Sequence, residues 1–137
     1  MSNSHINLTG IVEGERVEFL DGGVVYIRGD AGDRAYIVES GLVDIRESGR
    51  VIETMEPGEL FGEMALIDGE PRSASAVAVG ETRLIVVDRD TFYCLVRDNP
   101  EFAIDVMRLM SRRLRASVAE EKAPEMTPMP IPPRISA

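Results

Sequence analysis

The pattern of apolar positions along the chain changes near residue 88. Between residues 16 and 88, short runs rich in Val, Ile and Tyr are interrupted by Gly and Asp clusters, at the spacing of about eight to twelve residues that is typical of an all-β sandwich or barrel. Turn-forming pairs such as Ser40-Gly41 and Pro57-Gly58 separate the runs. We therefore expect consecutive antiparallel strands of a double-sheet jelly roll, or β-roll. The predicted strands are 16–20, 24–28, 35–39, 42–46, 51–55, 73–79 and 84–87.

Beyond residue 88 the period is helical. A short helix is predicted at 91–96. Asn99-Pro100-Glu101 then supplies an N-cap, a first-turn proline and an acid near the positive end of the dipole, so a longer helix should begin there. Apolar residues recur every four positions in it and form a stripe for the roll or for a partner helix. The stripe residues are Phe102, Val106, Met110, Leu114 and Val118, with Ala103 and Met107 alongside.

This pattern predicts one mainly β domain with C-terminal helices. We place it at 16–122, with the roll at 16–88 and the helices at 89–122. Residues 1–15 form a polar lead-in, and residues 123–137 a proline-rich, extended and disordered tail. The 137 residues, of which 44% are hydrophobic, suffice for one core of ordinary size.

The composition of the chain limits the kinds of partner that it is expected to bind. The 15 Lys and Arg against 24 Asp and Glu give a formal net charge of -9, which disfavours nonspecific attraction to phosphate backbones and to anionic lipid. No apolar run approaches the roughly 20 residues that span a bilayer, and the N-terminus lacks the pattern of a signal peptide. We therefore expect a cytoplasmic protein that binds neither DNA nor membranes.

One stretch departs from the strand pattern. Residues 61–76, FGEMALIDGEPRSASA, place a glycine, a carboxylate and a short helix-forming run inside a β pattern. A one-turn helix opening at Gly62 would leave N–H groups unpaired for an anion, and Arg72 can fold back across the Asp68-Gly69 turn to face it. One guanidinium suits a single negative charge, such as that of a cyclic phosphodiester. Glu63 beside an anion would be repulsive unless it faces donors such as sugar hydroxyls.

At these residues the chain resembles the cyclic-nucleotide-binding domain family. The family's phosphate-binding cassette has the pattern F-G-E-x-A-L followed, after a short turn, by P-R-[S/A/T]-A. The matching residues are Phe61, Gly62, Glu63, Ala65, Leu66, Pro71, Arg72, Ser73 and Ala74. The resemblance extends from about residue 17 to residue 118. It implies a double-stranded β-roll with an inserted phosphate-binding helix, and cAMP or cGMP as the ligand, without a metal or a catalytic cofactor.

The resemblance also implies residue roles. Arg72 would pair with the exocyclic phosphate oxygens and Glu63 would take the ribose 2′-OH. The backbone around the cassette would complete the binding site, and two apolar residues would couple it to the following helices. The cassette positions concerned are Gly62, Met64, Ala65, Ser73 and Ala74 for the ligand, and Phe61 and Leu66 for coupling. Ser73 suits cAMP and also a guanine amino group, so the preference stays open.

Within the family the chain is most similar to the bacterial catabolite-activator group. Asn99-Pro100 and Arg112-Arg113-Leu114 match the way in which that group enters and extends its dimer helix. This implies that Arg113 and Ser117 lie near the base and that a homodimer can form through the helix. That group continues into a helix-turn-helix domain, whereas here a proline-rich tail follows Lys122, so DNA binding is not carried over.

Three function classes compete. The first is a stand-alone cyclic-nucleotide sensor that couples occupancy to movement of its C-terminal helix and acts on an unknown protein target. The second is an interaction protein of the same fold that regulates a partner in trans without nucleotide. The third, a cupin metalloenzyme, needs two or three imidazoles, and His5 in the lead-in is the sole histidine. With no nucleophile and base pair standing out, we expect no catalysis.

Overall fold

The computed structural model describes the backbone of residues 14–122 and the side chains of residues 14–115. The predicted tail, most of the predicted lead-in and the side chains of Ser117 and Val118 lie outside these residues. The strands are β1 (Arg16–Phe19), β2 (Val24–Tyr26), β3 (Arg34–Glu47), β4 (Arg50–Met55), β5 (Leu60–Phe61) and β6 (Ser75–Asp88). The helices are α1 (Glu63–Asp68), α2 (Arg89–Asp98) and α3 (Pro100–Lys122).

The strands pair antiparallel in the order β1-β6-β3-β4, with β2 also on β6 and β5 also on β3. The prediction of a mainly β fold with C-terminal helices is thereby confirmed. The short strand β5 was not predicted, because two residues are too few to show an alternation.

The two long strands differ from the prediction. We expected 35–39 and 42–46 to be separate strands, and likewise 73–79 and 84–87, but each pair is one bent strand, β3 and β6 respectively. The register between them shifts on both sides of Ser40, so the ladder continues through a bulge. Gly41 and Gly80 take positive φ values of 87° and 73° at this bend. The glycine signals were therefore correct, but they mark a bend within a strand.

Alternate residues of the long strands pack into two apolar clusters. Residues 35, 37, 85 and 87 face the helices and contact Leu66, Leu95, Phe102, Val106 and Leu109. Their neighbours 36, 38, 84 and 86 face the other way and pack with Val43, Ile45, Met55 and Phe61. This second cluster draws on both sides of the bend, so the sheet folds over itself as a β-roll.

The helix α3 begins at Pro100 as the sequence predicts, whereas α2 extends the predicted helix 91–96 by two residues at each end. The Asp88 carboxylate accepts a hydrogen bond from the Thr91 N–H at 2.8 Å and caps α2. In α3 the predicted stripe residues Phe102 and Val106 are buried. Leu109 is also buried, although it was not predicted as part of the stripe. Leu114 is 66% exposed and Met107 is 62% exposed. Residues spaced by four are rotated by about 40° per step around a helix of 3.6 residues per turn. By Leu114 the predicted stripe therefore no longer faces the roll.

The bend at Gly41 generates a stability prediction. A Cβ at this position would lie 2.5 Å from both the Glu81 carbonyl oxygen and the Thr82 hydroxyl. We expect Gly41→Ala to lower the free energy of unfolding by about 2 kcal/mol or more, since the clash adds to the strain of a positive φ. Gly49→Ala is the control, because Gly49 has a φ of 80° but open space around it. Urea unfolding should show a smaller loss for Gly49→Ala, and equal losses would contradict the clash.

Candidate functional site

The interruption of the β pattern is a six-residue helix between two left-handed glycines. Gly62, with φ 78°, precedes α1, and Gly69, with φ 74°, ends it by donating its N–H to the Ala65 carbonyl. The Glu70 N–H donates to the Asp68 carboxylate at 2.8 Å and turns the chain back. The predicted short helix and its return turn are therefore both present, and they bring Arg72 back to the start of α1.

Arg72 is buried, with 6% of its surface exposed. Its Nη1 donates to the Gly62 carbonyl at 2.8 Å and its Nη2 to the Arg34 carbonyl at 2.6 Å. Its Nε is buried and has no hydrogen-bond partner within residues 14–115. No ion pair of the described side chains includes Arg72. A buried guanidinium without a carboxylate and with a spare N–H can hold an anion.

The loop before β3 closes on Arg72. The Gly29 N–H donates to the Arg72 carbonyl at 2.9 Å, and the Arg72 N–H donates to the Asp30 carbonyl at 2.8 Å. A Cβ on Gly32 would lie 2.3 Å from the Ala65 Cβ and 2.9 Å from Arg72 Nε. The close packing beside the guanidinium therefore requires glycine at position 32.

Glu63 is fully buried, and the structure supplies a donor for it. Its Oε2 accepts a hydrogen bond from Arg113 Nη1, which extends from α3. Arg113 Nη2 also donates to the Leu60 carbonyl at 3.0 Å. Glu63 Oε1 is buried without a donor in the described part of the chain. One carboxylate oxygen of Glu63 is therefore hydrogen-bonded to Arg113 of α3, and the other has no partner in the described residues.

Neighbouring charges and burial shift three pKa values at the site. Burial raises the pKa of Glu53, although Arg113, whose Nε lies 3.9 Å from the Glu53 carboxylate, opposes the shift. Burial alone would lower the pKa of Arg113, but the charge and hydrogen bond of Glu63 more than offset this and raise it. Burial raises the pKa of Tyr26 to about 12, partly opposed by Arg72. The Tyr26 phenol is therefore neutral at physiological pH.

The remaining predicted residues divide into buried and exposed ones. Ala65 and Ala74 are buried against the roll, whereas Met64 and Ser73 are exposed. Phe61 belongs to the cluster inside the roll and Leu66 to the cluster under the helices. The structure therefore brings Gly62, Glu63, Ala65, Arg72 and Arg113 together and places Met64 and Ser73 on the surface. It also pairs Glu63 with Arg113. We had expected Glu63 to contact the sugar and Arg113 to lie near the base.

Sequence reasoning missed two further side chains at the site. The ring of Tyr26 lies against Arg72, and Glu53 lies beside Arg113. Both are ordinary members of predicted strands, and only pairing through space brings them to the cassette. The side chains that the structure describes form no cluster of three or more metal-ligating residues. Among the described helices, none is long and apolar enough to cross a membrane.

Comparisons with known proteins agree with this geometry. The family model of the cyclic nucleotide-binding domain matches residues 16–99. The CRP-like cAMP-activated global transcriptional regulator of Mycobacterium tuberculosis is 38% identical over 104 residues, which cover 72% of this chain and 46% of the relative. The chain spans about half the length of the curated relatives it matches first.

Solved structures show the same fold. The catabolite activator protein of Thermus thermophilus superposes with a TM-score of 0.77 at 36% identity, covering 85% of this chain and 57% of that one. A structure described with a cyclic-GMP-dependent signalling pathway that regulates bacterial phytopathogenesis has a TM-score of 0.70 at 32% identity. That match covers 79% of this chain and 91% of the other.

Proposed function

Because this chain belongs to the cyclic nucleotide-binding domain family, we propose that it binds cAMP or cGMP at the site formed by α1, Arg72 and Glu63. The observation that carries the proposal is the buried Arg72 guanidinium, which has no carboxylate partner in the described residues and an unpaired Nε. The role is one of binding and regulation, as in the regulatory relatives, and not of catalysis.

The phosphate of the nucleotide is the anion that fits Arg72. In the structure, two of its donors rest on neutral backbone carbonyls. A charged phosphate oxygen is a stronger acceptor than a carbonyl, so the fork of Nε and Nη2 can exchange one carbonyl for the phosphate. The first-turn N–H groups of α1, which follow Gly62, are additional donors close in sequence to this contact.

The ribose 2′-OH fits the unpaired oxygen of Glu63. Oε1 is a buried acceptor without a donor among the described residues, and a buried carboxylate oxygen gains from each donor it receives. A hydroxyl at Oε1 leaves Oε2 to Arg113. The ligand and α3 would then share one carboxylate.

This sharing supports coupling between ligand and helix. Arg113 joins α3 to Glu63, and Leu66 of α1 packs in the same cluster as Phe102 and Val106 of α3. A ligand moves α3 only through its differential affinity for two arrangements of the helix. Contacts at Glu63 provide such a difference, because they involve both partners. The choice between cAMP and cGMP and the downstream target stay open in this proposal.

A homodimer through α3 is the second part of the proposal. Ile104, Met107 and Leu114 are exposed on α3 at spacings of three and seven residues, which place them on one seam of a helix pair. The likeness of Arg112-Arg113-Leu114 to the dimer helix of the catabolite-activator group favours a second copy as the occupant. Such a dimer would carry a change at Glu63 to a neighbouring protomer.

The proposed binding predicts a thermal shift that depends on Arg72. cAMP or cGMP should raise the melting temperature of the wild-type chain, whereas AMP and cyclic dinucleotides should have little effect. In Arg72→Ala the affinity should fall by at least about 3 kcal/mol, roughly a hundredfold, through loss of charge-assisted bonds. Arg83→Ala is the control, since Arg83 pairs with Glu18 on the surface. An unchanged affinity of Arg72→Ala in calorimetry would remove Arg72 from the site.

The role of Glu63 predicts discrimination at the 2′ position. The wild type should bind cAMP about tenfold more tightly than 2′-deoxy-cAMP, because a hydrogen bond to a charged acceptor contributes about 1.5 kcal/mol. In Glu63→Gln this difference should shrink to about threefold or less, since the acceptor is neutral. Calorimetry with both nucleotides measures it. The same ratio in both proteins would show that Glu63 does not contact the sugar.

If α3 forms the dimer, the number of chains per particle in solution should depend on Leu114. Wild-type protein should sediment as two chains, and Leu114→Glu should shift it towards one chain by placing a charge in an apolar seam. Leu20→Glu is the matched control, because Leu20 is 75% exposed and lies just beyond the end of β1. Sedimentation equilibrium with and without cAMP makes the comparison. A wild-type protein that sediments as one chain in both conditions would rule out the dimer.

A further inference from the structure

Tyr26, near the end of β2, has no part in the ligand contacts proposed above, yet its ring lies directly against Arg72. The Arg72 Cζ is 4.0 Å from the centroid of the Tyr26 ring. We infer that Tyr26 is a positioning residue, a platform that holds the Arg72 guanidinium flat and so fixes the direction in which its N–H groups face the anionic ligand. The inference rests on the proposed function, because it takes the phosphate to bind at Arg72.

The contacts of Arg72 show what the platform adds. The Gly62 and Arg34 carbonyls hold two donors at the edge of the guanidinium, whereas the Tyr26 ring packs against its central carbon, Cζ. Hydrogen bonds at the edge are the ones that a phosphate would replace in part. The ring contact survives that exchange, because a ligand that hydrogen-bonds to the N–H groups leaves Cζ against the ring.

The platform is itself fixed by two other rings. Tyr26 lies 6.4 Å from Tyr36, centroid to centroid, and 6.2 Å from Phe61. Tyr36 and Phe61 stack on each other at 5.5 Å. Phe61 directly precedes Gly62, so the ring cluster ties Tyr26 to the start of α1. Offset aromatic pairs at these distances are attractive and hold ring orientation.

An aromatic ring suits this position better than a carboxylate would. A carboxylate would hold Arg72 more strongly, but its negative charge would repel the phosphate that Arg72 is proposed to bind. The face of a neutral ring attracts the cation without adding a full negative charge. Burial raises the pKa of Tyr26 to about 12, which keeps the phenol neutral at physiological pH.

Three substitutions test the platform by calorimetry with cAMP. Tyr26→Leu should weaken binding about tenfold, since it removes a desolvated cation–π contact. Tyr26→Phe keeps the ring and should stay within about twofold of wild type. Tyr36→Leu tests the support of the platform, because Tyr36 stacks on Tyr26 and Phe61. It should lower the melting temperature and weaken binding by less than Tyr26→Leu does, since the Tyr26 ring itself remains.

A second measurement separates positioning from general loss of structure. In an Arg72→Ala background, where no guanidinium remains to be held, Tyr26→Leu should cause no further loss in ligand-detected NMR titration. An equal loss in both backgrounds, or Tyr26→Leu binding as tightly as wild type, would overturn the platform while leaving the proposed binding site intact. Wild-type protein that binds neither cAMP nor cGMP would overturn the proposed function and the platform with it.

Discussion

A buried positive charge without a carboxylate partner within residues 14–115 is the constraint around which this site is built. Removing a guanidinium from water is costly unless its N–H groups are satisfied. The chain offsets this cost at Arg72 with two backbone carbonyls and one aromatic face. None of these carries a full negative charge, so the site keeps its attraction for an anion. The left-handed Gly62 and the unsubstituted Gly32 follow from the same need, because they allow backbone to approach the side chain closely.

The second buried charge at the site, Glu63, is handled in the opposite way. It is paired with a guanidinium from an element 50 residues away. Apart from the contacts of Arg113 with Glu63, Glu53 and the Leu60 carbonyl, the packing of α3 on the roll is mainly apolar and centres on Phe102, Val106 and Leu109. The strength of apolar contacts depends on the buried area, and they do not distinguish one polar ligand from another. The Glu63–Arg113 pair therefore gives α3 a contact through which a polar ligand can affect the helix.

The sequence predicts those features that are determined by residues close together along the chain. The turn from Gly62 back to Arg72 spans ten residues and was anticipated, as was the start of α3 from Asn99-Pro100, whereas the capping of α2 by Asp88 was not. The Ser40-Gly41 pair was misinterpreted as a loop between strands, because the matching bend at Gly80 lies on the partner strand and cannot be seen locally.

Features that depend on tertiary packing could not be predicted in the same way. The sequence indicates that Glu63 must face a donor, but the donor is on a distant helix. Tyr26 reaches Arg72 because β2 pairs with β6 at Ala76, close to the cassette in space. Nothing in the alternation of β2 distinguishes Tyr26 from any other half-buried strand residue. The requirement for glycine at position 32 likewise comes from the Ala65 and Arg72 side chains that pack beside it.

Two of the buried atoms without a hydrogen-bond partner in the described residues, Arg72 Nε and Glu63 Oε1, suggest the direction in which a ligand would act on α3. A hydroxyl that had to displace Arg113 from Glu63 would exchange an ion pair for a hydrogen bond from an uncharged donor, at a net cost. A hydroxyl that donates to Oε1 has no such cost, because Oε2 keeps its guanidinium. On this geometry a nucleotide bound as proposed would add contacts to a carboxylate that already holds α3. Occupancy would then favour the arrangement in which α3 is docked on the roll, and the signal would be the stabilisation of that arrangement.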